Sequence, residues 1–163
     1  MTSSEVYTGL KLTILLSSLV FLPSLIMTAT SFTRIAIVLS ITRQALGTAQ
    51  TPPNQIVLGL SLFLTFAIMS PVFNEIYDKA LAPYSEDQLS HSEALQRAFE
   101  PLRTFMLRHT RERDLELFIE ITKSAKVESP EQLGPTVVIP AFIISELNTA
   151  FQIAFLIYLP FVI

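Results

Sequence analysis

Residues 140–163 read PAFIISELNTAFQIAFLIYLPFVI, an apolar run that contains one charged side chain, Glu146. A helix needs about 20 mostly apolar residues to cross a bilayer, so this run is long enough to span one. A carboxylate inside such a helix is costly unless it finds a partner, which makes Glu146 a candidate functional residue. Ser145, Thr149 and Gln152 extend a polar stripe around it, with Asn148 close by. A striped helix of this kind favours neighbouring helices over lipid. The plainer alternative is a Glu146 that is protonated or reaches the headgroups.

Two other apolar runs precede it. Residues 12–33 carry no charge, and LTILLSSLVFLPSLIMTATSF predicts a first membrane-length helix kinked at Pro23. Residues 34–43, RIAIVLSITR, are apolar between Arg34 and Arg43 but too short to span, so they either continue that helix or lie along an interface. In the loop at 44–55, QALGTAQTPPNQ, Gly47 and the pair Pro52 and Pro53 end any helix. A second membrane-length run, IVLGLSLFLTFAIMSPVF, follows and is expected to end near Pro71. Within it Gly59 and Ser61 suggest a close helix contact.

The composition then changes abruptly. Residues 75–135 hold twelve Asp and Glu against eight Lys and Arg, together with both histidines, and form a solvated segment. SEDQLSHSEALQRAFE predicts one amphipathic helix with Ser85 or Ser90 as its cap, and residues 101–125 predict a second helix opened by Pro101. Leu102, Phe105 and Met106 make one apolar patch, and Leu115, Phe118, Ile119 and Thr122 make another. The charged stretch RHTRERD lies between them. The two patches either pack on other subunits or fold on each other.

Across the 163 residues only 15% are charged and the mean hydropathy is +0.51, too little charge for a water-facing surface. The chain therefore belongs in or against a membrane. The absence of cysteine excludes disulfides and thiol chemistry, and a net charge of −3 excludes a basic footprint for nucleic acid. His91 and His109 fall in no metal-ligand spacing, and the four glycines form no phosphate-binding loop. No enzyme chemistry, cofactor or metal is expected. If residues 75–135 lie outside the cell membrane, the loop carrying Arg34, Arg43, Pro52 and Pro53 lies on the cytoplasmic side, in keeping with the positive-inside rule. The N-terminus would then also be outside, although MTSSEVYTGLKL lacks the basic start of a secretory signal.

Three long stretches carry a resemblance. TSFTRIAIVLSITRQALGTAQTPPNQ at 30–55, continued by LFLTFAIMSPVFNEIY, then PLRTFMLRHTRERDLELF at 101–118, and PAFIISELNTAFQIAF at 140–155 are similar, in that order, to the FliP family. These are membrane components of the flagellar type III export gate, related to the SctR proteins of injectisomes. The sequence departs from the family at Ala154, where Gly is usual, and it stops at Ile163, where members continue through a methionine-rich loop. It is expected to be a C-terminally truncated form.

The resemblance implies an all-α protein: membrane-associated helical hairpins with a small helical extracytoplasmic domain. The division expected is 1–74, with the Pro-Pro loop at 44–55, then a periplasmic 75–135, and a C-terminal hydrophobic helix at 136–163. It implies a homo-oligomer, expected as a pentamer, completed by FliR and FliQ beside FlhB and FlhA in the inner membrane at the flagellar basal body. The resemblance further implies membrane lipid around this assembly and unfolded flagellar proteins passing through it. Phe105, Phe118 and Glu146 fall at family positions of subunit contact, and Ser145, Thr149 and Gln152 could pair helices between copies. The alternatives are an injectisome gate subunit, or a small-solute or proton transporter built on Glu146.

Overall fold

The computed structural model describes residues 3–48, 50–124 and 129–163; Ala49, in the loop at 44–55, and residues 125–128, in the solvated segment, lie outside the described residues. Among the described residues every regular element is helical. The helices are α1 (Ser3–Thr28), α2 (Phe32–Ala45), α3 (Asn54–Ile76), α4 (Ala82–Ser85), α5 (His91–His109), α6 (Glu112–Ile121) and α7 (Pro135–Val162). A π turn, Tyr77–Leu81, joins α3 to α4, and a 3-10 turn, Pro130–Gln132, precedes α7.

The first break falls where the sequence shows no breaker. α1 runs through Pro23 and stops at Thr28, so residues 34–43 neither continue it nor stand alone: they form α2, packed on α7 and α3. Hydroxyls make the break possible. Thr30 Oγ1 donates to the Ile26 carbonyl at 2.6 Å and accepts from the Phe32 N–H at 3.3 Å, serving an orphan group of each helix end. α2 ends on Gly47 in the left-handed region (φ 71°), where the absence of a Cβ removes the strain. Arg43 then donates to the Pro52 carbonyl and to Asn54 Oδ1, binding the loop to the start of α3.

α3 does not end near Pro71. It continues through it, and with the π turn and α4 forms one helical rod from Asn54 to Ser85, across the change in composition at position 75. The π turn closes with Ala82 N–H on the Tyr77 carbonyl, immediately before Pro83, which has no N–H to offer and needs room at its i−4 carbonyl. The inward face of α3 is Val57, Ser61, Thr65 and Met69, one residue per turn. Ser61 and Thr65 donate to the carbonyls of Val57 and Ser61, so these small polar residues are buried without needing a partner on another helix. Gly59 is exposed and a Cβ placed there would meet nothing within 4 Å, whereas Ser61 is buried.

The hydrophilic segment also divides differently. Ser90 starts α5 with a capping box to Glu93, and the helix runs through Pro101 to His109. The break comes at Thr110 and Arg111, both extended, because the Arg111 N–H is drawn across to Ser145 of α7. The two apolar patches consequently become one. Phe105, Phe118, Leu102, Leu115 and Ile119 pack against a core of Met106, Val137, Val138 and Phe142, the last four nearly inaccessible. Phe105 and Phe118 are half-buried against their own chain rather than free patches. A buried phenylalanine contributes about 1.5–3 kcal/mol from desolvation alone, so the first half of α7 is the anchor of this bundle.

The remaining apolar surface is extensive. Leu60, Phe63 and Phe66 of α3 and Phe151, Phe155 and Leu156 of α7 all point outward. Among the described residues two helical stretches, Asn54–Ser85 and Pro135–Val162, are long and apolar enough to cross a membrane.

Candidate functional site

One turn of α7 carries two adjacent buried polar residues that reach across to other helices. Ser145 and Glu146 are adjacent, both buried, and look toward different parts of the chain.

Glu146 is 1% exposed and meets Arg34 of α2. Arg34 Nε donates to Oε2 at 2.9 Å and Nη2 donates to Oε1, so one guanidinium holds both oxygens in the fork geometry that favours arginine over lysine. Arg34 lies in the first turn of α2 and is consumed by α7, while Arg43, in the last turn of α2, reaches the loop at 44–55 through the Pro52 carbonyl and Asn54 Oδ1. The physical reason is desolvation: the buried carboxylate is tolerable only if a cation comes to it.

Ser145 faces the other way. Its hydroxyl donates to Asp114 Oδ2 of α6 at 2.7 Å and accepts the Arg111 N–H at 3.0 Å. The Arg111 side chain continues to Gln152 Oε1 at 2.8 Å, one to two turns along α7. Ser145 and Gln152, expected to pair helices between copies, thus make bonds inside one chain, while Thr149 is half-buried between them. Asp114 and Arg111 escaped the sequence reading because they sit in the charged stretch RHTRERD. The available signal was helical phase, since Asp114 shares a face with Leu115 and Phe118.

Phe105 meets Phe142 edge to face at 5.9 Å and lies 4.5 Å from the His109 ring, whose Nδ1 is 2.8 Å from the Phe105 carbonyl. His91 stacks edge-on to Tyr84. Among the described residues no three His, Cys, Asp or Glu side chains come together to hold a metal. Ala154 is buried at the floor of a shallow apolar hollow with Ile41, Phe151, Phe155 and Tyr158, where α2 meets α7. The site is a structural junction: α7 fastened on one side to α2 and on the other to the elbow between α5 and α6.

Comparison of the sequence with known proteins places it among relatives. The FliP family model matches residues 15–163. The flagellar biosynthetic protein FliP of Pectobacterium carotovorum subsp. carotovorum is 54% identical over 150 residues, covering 92% of this chain and 58% of that protein. The FliP proteins of Aquifex aeolicus (strain VF5) and Bacillus subtilis (strain 168) are each 48% identical, over 95% and 98% of this chain and 66% and 72% of their own lengths. The chain thus spans less than two thirds of the first two relatives. The match is to a flagellar biosynthetic family rather than to an enzyme family, and its apolar helices are those of a membrane protein. With the family model covering all but the first fourteen residues, the chain belongs to the FliP family.

Proposed function

We propose that the chain is the core of a subunit of the flagellar type III protein export gate, building the conduit through which unfolded flagellar proteins leave the cell. The observation that carries this reading is the match to the FliP family along residues 15–163, with relatives named as flagellar biosynthetic proteins. In this reading several copies associate with FliR and FliQ beside FlhB and FlhA in the inner membrane. Residues 75–135 are the extracytoplasmic part, and residues 136–163 with 1–74 supply the apolar helices. The outward faces of α3 and of the second half of α7 meet lipid or other subunits, and the half-buried Phe105 and Phe118 shape the α5–α6 surface offered to the next copy. The flagellar names of the relatives favour this system over an injectisome. A transporter built on a free Glu146 loses its main support, because Arg34 already occupies the carboxylate.

The test is secretion. In a flagellated host, Glu146→Ala combined with Thr149→Val is expected to lower export of hook and filament protein into the medium about tenfold or more, as removal of one member of a buried pair is strongly disruptive. Unchanged export and motility from this variant would overturn the reading.

A further inference from the structure

We infer that Arg34 and Glu146 form a strut within one chain, and that Glu146 acts on assembly through this strut rather than by touching a neighbouring copy. The inference rests on the multi-copy assembly proposed above. The family resemblance puts Glu146 among positions of subunit contact, yet its carboxylate is 1% exposed and both oxygens are taken by the guanidinium of Arg34. The partners are 112 positions apart in sequence, so the contact ties the first apolar half of the chain to the last. Arg34, whose side chain is 29% exposed, is the member that a neighbour could reach.

The strut fixes how α2 lies on α7. Ile41 stands two turns beyond Arg34 on α2, and Phe151, Ala154, Phe155 and Tyr158 continue α7 past Glu146; together they line the apolar hollow between the two helices. That surface exists only while α2 is seated. Arg34 is therefore a positioning residue for assembly, and its removal is the more damaging of the two single changes. It strands a fully buried carboxylate, whereas loss of Glu146 leaves a guanidinium that is only partly buried in the chain.

A cis against trans charge exchange tests this. Arg34→Glu and Glu146→Arg are made singly, together in one chain, and as two single variants expressed in the same cells with different tags. Copies per complex and yield of complex are read by native mass spectrometry of the extracted membrane protein. Each single variant is expected to lose about tenfold or more of the assembled complex, the double to recover to within about threefold, and the co-expressed singles to stay defective. Recovery by the co-expressed singles equal to the double would place the pair between copies and overturn the inference. So would normal assembly of either single variant.

Should the reversed pair not fit its site, Arg34→Met with Glu146→Leu decides. A buried pair can be replaced by apolar residues of similar size, so this double is expected to assemble better than Arg34→Met alone, and no gain over it overturns the inference. Assembly restored without secretion of flagellar protein would count against the export reading and leave the strut standing.

Discussion

Glu93 illustrates how much one exposed residue can set locally. Its carboxylate accepts the Ser90 hydroxyl at 2.6 Å and the Ser90 N–H at 2.9 Å, while the Glu93 N–H reaches Ser90 Oγ at 3.4 Å. These bonds, the hydroxyl first, hold its carboxyl below the ordinary carboxylate value. A group whose folded value is lowered adds stability above its unfolded value, near pH 4, and loses it as the pH falls through the lower folded value. Protection of the amides in the first turn of α5 is therefore expected to be full at neutral pH and to fall in strong acid. Ser90→Ala should lower that protection at neutral pH by about 1 kcal/mol and flatten its dependence on pH, as read by hydrogen exchange. Other residues yield to geometry instead. Lys123 takes a positive φ (48°) at the end of α6, where Ser124 N–H bonds the Ile119 carbonyl and Lys123 N–H the Glu120 carbonyl, a Schellman ending made without glycine.

At the level of elements, α7 carries the greatest number of dependencies. Its first half is the core of the α5–α6 bundle, one of its turns fastens α2, and its second half leaves Phe151, Phe155 and Leu156 exposed. Ser145→Ala removes the donor to Asp114 and the acceptor for the Arg111 N–H together. Each orphaned buried group costs about 1–3 kcal/mol, so cleavage by protease at the Thr110–Arg111 elbow is expected to accelerate several-fold. Asp114→Ala added to Ser145→Ala should cost less than the sum of the single changes, because the pair shares one bond. Additive costs would mean that the hydroxyl and the carboxylate act independently. Prolines, by contrast, punctuate little here: Pro23, Pro71, Pro101 and Pro140 all lie inside helices. Each removes one backbone donor, and the helix continues through it.

For the whole molecule, the uncovered faces define what the surroundings must be. Leu95 lies exposed on the hydrophilic α5, whereas Phe155 is exposed on the apolar second half of α7. The chain has no cysteine, so Leu95→Cys and Phe155→Cys each introduce a unique thiol. In intact cells with a permeable outer envelope, a membrane-impermeant maleimide is expected to label the first at least about tenfold faster than the second, since lipid or another subunit removes the second from water. Equal labelling would reject the placement of residues 75–135 outside the inner membrane and of α7 within apolar surroundings.

The sequence by itself determined the helical class, the three apolar runs, the solvated segment between them and the isolation of Glu146, because each is a matter of composition and period along the chain. Only the tertiary structure decided that Arg34 is the partner of Glu146, that α1 breaks at 29–31 rather than at Pro23, and that the patches of Phe105 and Phe118 close on α7. It alone showed Asp114 to be buried beneath Ser145. These outcomes depend on which polar groups are desolvated together, and that is fixed by contacts between residues up to 112 positions apart, which no local pattern contains.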